Sequence, residues 1–578
     1  MTLQIDAARE PTTGVAAAPV RRATTGRTVA TRRLIGLLLV LVPLVWAWQR
    51  AVPAGDDVVN RGGLSLVADL LASALHPQLS PGFLAVVLDA AVVTLTFAAL
   101  GTAAALVIGL AGGLLLSDAA WHRRPPPAVR LLRLLLRGVL VAARSIHELV
   151  WALLFVSVLG LDPLVAVLAI AIPFGAQTAK VFAETLDGVP AGPLQALRNA
   201  GARALPALGY GLFPAAAPLL LSYSFYRFEC AIRSAVVLGV VGVGGLGQEL
   251  VVSLQSRNWD EVWTLVGAVL LLSAAADLWS TRLRREHAVV TCSDWSAGKG
   301  RSSRSVRSRW ARSSAAIVVP GLIVAWLASD VSLSGLTSPR TRELTGRLLE
   351  DMWPPALPPG GWPALAEAVP DTIAMAILAM AVAVAVTMVT GPWAMRPRRA
   401  AMDEHARPAR RLLRGALRSA SRTLLLVLRS VPPTVWAVIA LLALFPGILP
   451  GALALGLYTG GILARLVAEA WEGIDTRPRD ALRAIGTPGW LASTAAVVPP
   501  SVHHLATYTL YRFEICIRDT AVVGVVGAAG LGRLLAENLA AFRFPTVTTL
   551  LIASFALSIA SELFGRRLRH ALRAPAPA

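Results

Sequence analysis

Two blocks of charged and aromatic residues recur in an otherwise apolar sequence. The first runs YRFECAIRSAVVLGVVGVGGLG over residues 226–247, and the second runs YRFEICIRDTAVVGVVGAAGLG over residues 511–532. Arginine guanidinium groups can bind two oxygens of one anion at once. Ionisable side chains in apolar surroundings are costly, so they indicate a functional site first. The candidate residues are Tyr226, Arg227, Glu229, Arg233, Tyr511, Arg512, Glu514 and Arg518.

Within the first block the charges are spaced to interact along a helix. Glu229 and Arg233 lie four residues apart, which pairs them on one helix face and leaves Arg227 as net positive charge. One hypothesis is a pair of basic clusters, one from each block, that attract an oxyanion. The alternative is structural: the Glu–Arg pair pins a re-entrant turn and contacts no ligand.

The blocks belong to an internal duplication of the chain. A shift of 285 residues aligns the two copies without a gap from Arg144 to Gly247. Arg144 and Arg429 are then equivalent, and each is expected to begin the third apolar span of its copy. Such an arginine either extends to the membrane surface or lines a path through the molecule. The copies differ where His147-Glu148 stands against Pro432-Pro433.

Composition places these elements in a membrane. Of 578 residues, 55% are hydrophobic and 15% are charged, against about 25% charged in soluble domains. The mean hydropathy is +0.63. These values exclude a cytosolic enzyme and a disordered chain. Apolar windows of about 20 residues predict an all-α polytopic protein with about twelve spans, six in each half. They lie near 34–50, 84–116, 138–160, 163–181, 206–225, 261–280, 315–329, 363–394, 423–445, 450–468, 495–510 and 547–565.

The net charge is +20, and the basic residues are concentrated in alternate segments between the predicted spans. Arginine is concentrated before residue 34 and in segments 117–137, 281–314, 395–422 and 566–573. The positive-inside bias therefore puts both termini in the cytoplasm, and nucleic acid is not an expected partner. Each half then has an even number of spans, and the two copies share one orientation about an axis along the membrane normal.

The same pattern divides the chain into five parts, with the basic, Ser-rich segment as a flexible linker on the lipid surface. The expected parts are a disordered cytoplasmic tail at 1–31, a first domain at 32–285, the linker at 286–314, a second domain at 315–570 and a cytoplasmic tail at 571–578.

A hydrophilic loop interrupts each half at the same place, 182–205 and 467–490. Two short helices meeting at a glycine would form a compact knob that seats in a soluble partner. Here the sequence resembles the membrane subunits of ABC importers, whose coupling loop has Glu-Ala-Ala, then Gly, then Ile-x-Leu-Pro. Only the glycine and the proline are in place in both copies, and the leading glutamate is absent from both. The candidate coupling residues are Glu184, Gly188, Ala196, Gly201, Glu469, Gly473, Ala481 and Gly486.

The YRFE blocks, with their IR and glycine-rich tails, resemble the permease of phosphonate-type ABC importers, which also take up phosphite or phosphate. The resemblance covers about 84–285 and 363–570 and implies two permease domains fused in one chain. It implies two copies of a cytosolic ATPase, which bind the ATP and Mg, and an extracytoplasmic binding protein. The expected location is a bacterial plasma membrane. The blocks would lie between the fifth and sixth spans, near the outer surface, as an oxyanion gate.

The glycine-rich tails satisfy a dinucleotide-binding spacing once, in the first copy. Transmembrane windows flank them, so small residues that let helices approach and bend at a gate are the better interpretation. These gate glycines are Gly242, Gly245, Gly247, Gly527, Gly530 and Gly532. No GxxxxGK[ST] motif and no paired His/Cys motif occurs in the sequence, so neither ATPase activity, a metal nor a cofactor is expected in this chain.

Two other functions remain open from the sequence. An ion-coupled secondary transporter could use the same parallel repeat, with polar groups at mid-membrane on broken helices. Asp89, Glu367 and Asp371 instead lie near the ends of their windows. An ABC permease for an amino acid such as methionine would share the architecture and differ in substrate.

Overall fold

A computed structural model describes residues 26–53, 57–121, 126–287, 318, 320–327, 329, 331–395 and 408–573. Nearly all of this part of the chain is helical, with one isolated antiparallel bridge between Val59 and Leu444. The linker at 286–314 and most of the two tails lie outside the described residues. The first helix begins at Gly26, inside the segment expected to be a tail.

The helices follow the repeat closely. Those of the first half are α1 Gly26–Ala51, α2 Arg61–Ser73, α3 Pro81–Leu116, α4 Pro127–Ser145, α5 Glu148–Leu159, α6 Pro163–Gly188, α7 Gly192–Asn199, α8 Ala204–Ala207, α9 Phe213–Leu238, α10 Leu246–Gln255 and α11 Trp259–His287. Those of the second half are α12 Ser334–Thr337, α13 Pro339–Asp351, α14 Gly361–Ala394, α15 Pro408–Ser430, α16 Pro433–Ala443, α17 Ile448–Glu472, α18 Arg477–Ala484, α19 Gly489–Ala496, α20 Val498–Val525, α21 Leu531–Ala540 and α22 Phe544–Arg573.

Seven helices in the described residues are long and apolar enough to cross a membrane, and two bent pairs bring the number to nine. The remaining predicted windows fall on α1, whose apolar part is short, on α20, which carries the second block, and on 315–329, which is described only in part. The all-α polytopic class is confirmed.

The predicted spans at 138–160 and 423–445 are wrong as straight helices. The chain bends by 94° between α4 and α5 and by 93° between α15 and α16. In the second half Pro432 and Pro433 stop α15, because a proline disfavours helix in the residue before it. In the first half His147 makes the same bend as an N-cap, its Nδ1 accepting from Leu149 N at 3.2 Å.

Each half is built on one tightly packed pair of helices, α3 with α6 and α14 with α17. Small residues bring the backbones together: a Cβ on Gly109 would lie 2.4 Å from Thr178, and one on Gly456 would lie 2.6 Å from Val382. Around these pairs the described residues form two apolar cores. The long helices α9 and α20 pack beside them and carry the charged blocks.

The first helix of each half packs on the opposite half. Helix α1 lies along α14, with Ala47 buried in the second core and Arg50 Nε 2.6 Å from Asp371 Oδ1. In exchange, Leu322 and Val331 at the start of the second half pack in the first core. The two halves are therefore interlocked through their first segments.

The charged residues of the YRFE blocks lie within continuous helices, which corrects their predicted position between two spans. Helix α9 runs unbroken from Phe213 to Leu238, and α20 runs from Val498 to Val525. The Glu229–Arg233 pair therefore does not lie at a turn, which corrects that part of the structural alternative. The chain turns back further along each block, at its glycine-rich tail.

Candidate functional site

A cavity of about 1270 Å³ lies between the two halves. Eleven arginine or lysine and eight acidic side chains of the described residues line it, so its wall carries net positive charge. It collects every charged or aromatic residue predicted for a gate or path, from both copies. These are Arg144, Tyr226, Arg227, Glu229, Arg233, Arg429, Tyr511, Arg512, Glu514 and Arg518.

Arg429 joins the second half to the first by a buried ion-pair cluster. Its Nη1 lies 3.0 Å from Glu229 Oε1, and its Nη2 lies 3.1 Å from Asp277 Oδ2. Arg465 adds a second cation to Asp277 at 2.7 Å. The predicted pair between Glu229 and Arg233 is present at 3.4 Å, but the shorter contact of Glu229 crosses to the other half. Because these charges are buried, removing any one of them would leave its partners without a compensating charge.

Arg144 makes the corresponding connection from the first half. Its Nη2 lies 3.0 Å from Glu562 Oε2, which Lys180 Nζ approaches through Oε1 at 3.7 Å. Arg518 Nη1 donates to the backbone carbonyl of Arg144 at 2.6 Å. Arg144 is 9% exposed and Arg429 is 7% exposed, so neither extends to a surface and both line the cavity.

Two acids, Asp277 and Glu562, and two basic residues, Lys180 and Arg465, were missed by sequence reasoning. A single acidic residue in an apolar helix forms no motif by itself. The repeat offset nevertheless continues through them and would have identified them. The equivalent pairs are Arg144 with Arg429, Lys180 with Arg465, and Asp277 with Glu562.

The leading arginines of the two blocks sit in equivalent places but have different neighbours. Arg227 lies over the ring of Phe174 at 4.8 Å, and its Nε donates to Tyr223 Oη at 2.7 Å. Arg512 instead lies near Thr459 at 3.5 Å and Asp519 at 3.9 Å, and is 7% exposed.

Residues that are not the same in the two copies lie near Arg227 and Arg512. His147 Nε2 lies 3.4 Å from Glu148 Oε2 and 3.7 Å from Asp519 Oδ1, so it contacts an acid from each half. Ser234, which stands where the second copy has Asp519, donates to Glu148 Oε1 at 2.6 Å. The cavity is thus asymmetric in charge although its framework is repeated.

Comparison with known families gives this arrangement a name. Residues 127–286 and 406–574 each match the model of the binding-protein-dependent transport system inner membrane component. The two matches cover more than half of the chain and coincide with the two halves around the cavity.

The chain belongs to this family.

It is therefore the inner-membrane permease component of an ABC importer, in multi-pass form, and the interpretation as a secondary transporter is set aside. Curated relatives agree. The chain is 31% identical over 83% of its length to the phosphate-import permease protein PhnE of Mycolicibacterium smegmatis, covering 85% of that protein. It is 32% identical over 42% of its length to the phosphite transport system permease protein PtxC of Stutzerimonas stutzeri, covering 85% of it.

Among solved structures, the permease is similar to an inward-facing MetNI methionine ABC transporter, at 19% identity. That match covers 36% of this chain and 97% of the other chain, with a TM-score of 0.31. An amino acid ABC transporter crystallised with histidines matches at 15% identity, over 36% of this chain and 94% of the other, with a TM-score of 0.30.

The two hydrophilic loops predicted to couple the permease to an ATPase have the expected form of two short helices meeting at a glycine. Gly201 (φ +82°) follows α7, and Gly486 (φ +90°) separates α18 from α19. Positive φ favours glycine at both positions. Seven of the eight predicted coupling residues are exposed outside the cavity; Glu469 is exposed too but also lines the cavity and pairs with Arg465 at 2.9 Å.

Four of the predicted gate glycines lie in the turns between α9 and α10 and between α20 and α21, and Gly247 and Gly532 are the second residues of α10 and α21. A Cβ on Gly247 would lie 1.8 Å from the carbonyl oxygen of Val236, and one on Gly532 would lie 2.7 Å from Ala521 Cα. In both turns a buried threonine accepts from the first amide of the next helix at 2.9 Å, Thr94 from Leu246 and Thr372 from Leu531. None of the six glycines is among the cavity-lining residues of the described chain.

Proposed function

We propose that this permease provides the translocation pathway for a phosphonate, phosphite or phosphate anion. The observation that carries the proposal is the net-positive cavity, lined by both YRFE blocks, between two interlocked halves. Arginine forks suit the paired oxygens of a phosphorus oxyanion. The relatives named for phosphate and phosphite transport support the same class of substrate.

The pathway works with separate subunits in this proposal. Two copies of a cytosolic ABC ATPase bind ATP and Mg and seat on the coupling helices, and an extracytoplasmic binding protein delivers the anion. The chain itself hydrolyses no ATP. Both termini face the cytoplasm of a bacterial cell, and the permease domains occupy 32–285 and 315–570, joined by the basic linker at 286–314 and flanked by tails at 1–31 and 571–578.

Uptake measurements test the substrate. A strain lacking its own phosphate and phosphonate importers would receive this chain with the ATPase and binding protein encoded beside it. Uptake of labelled phosphate, phosphite or 2-aminoethylphosphonate is expected, while labelled methionine and sulfate stay at background. Uptake of methionine in place of all three phosphorus compounds would contradict the proposal.

Exposed apolar side chains at the coupling helices provide a test of the ATPase contact. Ile485 is 80% exposed and Trp490 is 70% exposed on the two sides of Gly486. Ile485→Asp is expected to reduce co-purification of the ATPase with the permease at least about fivefold, because it puts a charge into a dry contact. Leu75→Asp is the matched control, since Leu75 is 81% exposed in the turn between α2 and α3. Equal ATPase recovery in both variants would refute the assignment.

A further inference from the structure

The leading arginines of the two blocks differ in one counter-ion. The leading arginine of each block is Arg227 or Arg512. The residue seven positions later lies two helical turns further along, on nearly the same face of the helix. In the second copy that residue is Asp519, whose Oδ2 lies 3.9 Å from Arg512 Nη2. In the first copy it is Ser234, so Arg227 faces a neutral side chain there. The repeat thus supplies two arginines and only one acid.

Arg227 is held in place by aromatic neighbours. Its Nε donates to Tyr223 Oη at 2.7 Å, and its guanidinium carbon lies 4.8 Å from the ring centre of Phe174 and 5.2 Å from that of Tyr223. Within the described part of the chain no carboxylate lies within 4.0 Å of Arg227. The two Nη groups have no hydrogen-bond partner among the described residues, and the side chain lines the cavity. They form an oriented fork with two free donors.

The neighbouring acids of the cavity are already engaged. Glu229 pairs with Arg429 at 3.0 Å, and Glu148 accepts from Ser234 at 2.6 Å. Two tyrosines, Tyr226 and Tyr511, add hydroxyl groups to the same cavity, each 43% exposed. An anion at the Arg227 fork would therefore meet donors without displacing an internal ion pair.

The place of Arg512 is less suitable for an anion. Asp519 supplies negative charge there, and His147 and Glu148 from the first half lie beside it. Arg512 is also more deeply buried, at 7% exposure, and its Nε has no hydrogen-bond partner in the described structure. A dianion entering this side would meet two carboxylates.

We propose that the cavity holds one phosphorus oxyanion per chain, bound off the axis of the repeat by the Arg227 fork. The proposal rests on the proposed function for its substrate class and adds the number and position of the anions. The PO₃ group shared by phosphate, phosphite and phosphonates would accept both Nη donors of Arg227. Asp519 keeps the equivalent place of the other half from binding a second anion.

Equilibrium dialysis of the purified full-length chain against ³²P-labelled inorganic phosphate tests the inference without the binding protein or the ATPase. We expect about one phosphate per chain. Arg227→Gln is expected to raise the dissociation constant about ten- to hundredfold, the usual range for losing hydrogen bonds to a charged group. Arg512→Gln removes the equivalent arginine and is expected to weaken phosphate binding less than Arg227→Gln. Arg347→Gln, at an exposed ion pair outside the cavity, is the control that should keep one phosphate with less than about a threefold change.

A second variant, Arg227→Lys, separates loss of phosphate binding from loss of the folded protein. Arg227→Lys keeps the charge and loses the fork, so it should bind phosphate with a smaller loss than Arg227→Gln. Two phosphates per wild-type chain, no phosphate binding at all, or equal losses in Arg227→Gln and Arg512→Gln would overturn the single-site inference. Phosphate uptake by the wild-type system in cells reports the proposed function separately, because it does not depend on how many anions the cavity holds.

Discussion

At the scale of single residues, buried ion pairs in the cavity wall join the two halves of this permease, with Arg429 on Glu229 and Arg144 on Glu562. The repeat and the block motif were enough to single out ten charged or aromatic residues that line the cavity, and their role as a gate or pathway stays a prediction. They were insufficient to predict the partners of those residues, because Asp277 and Glu562 are isolated acids in apolar helices. The partner of Glu229 could not be predicted from one helix either, since Arg429 is brought to it by packing of the other half.

The Arg429 cluster should contribute strongly to stability. Arg429→Met would leave Glu229 and Asp277 without a cation they share, and removal of one partner of a buried pair costs about 3–5 kcal/mol. Arg347→Met is the control, because the Arg347–Glu343 pair is exposed and such pairs are worth about 0–1 kcal/mol. Thermal unfolding of the two purified variants measures the difference. Equal melting temperatures would show that the cluster is not a main support of the interface.

At the scale of elements, hydropathy predicted where helices occur and failed where they bend. The apolar windows at 138–160 and 423–445 each contain a bend of more than 90°. Hydropathy did not predict these bends, because it reports how apolar a segment is and not the direction of its helix axis. Pro432-Pro433 is a clear helix stop, whereas the His147 cap at the equivalent position has no comparable sequence signal. The placement of the blocks between spans failed because charged residues inside α9 and α20 lower the local hydropathy of continuous helices.

The glycine turns after α9 and α20 should tolerate no side chain. In Gly247→Ala the new Cβ would lie 1.8 Å from Val236 O, so α10 must move away from α9. We expect loss of substrate uptake and reduced accumulation in the membrane. Gly267→Ala is the control in α11, where nothing lies within 4 Å of the added Cβ. If Gly247→Ala supported as much uptake as Gly267→Ala, the close approach of α10 to α9 would not be required for transport.

At the scale of the whole molecule, the duplicated sequence folds as two halves that depend on each other. The sequence predicted the duplication and the family, because both follow from residue identity at fixed spacing. The exchange of first segments could not be predicted, since the linker is long enough for either connection and hydropathy does not choose a partner.

Cutting the chain tests this dependence. Co-expressed fragments 1–300 and 301–578 should assemble and restore uptake, because the cut lies in the linker and the contacts between halves are retained. Either fragment alone should accumulate at least about fivefold less than in the co-expressed pair, because its core then lacks the segment supplied by the other fragment. Blue-native electrophoresis measures assembly. A stable, monodisperse fragment 301–578 on its own would contradict the interlocked arrangement.

The contact between Arg50 and Asp371 can form only after both residues have been synthesised. The two residues are 321 positions apart in the chain. At about 5–20 residues per second, the ribosome delivers the second roughly 15–60 s after the first. During that interval α1 is already made, whereas α14, the helix along which it packs, is not. The nascent chain must therefore keep a charged helix end waiting in or beside the bilayer until α14 emerges, which makes the first helix a point where insertion factors or lipid charge can influence the yield of folded permease.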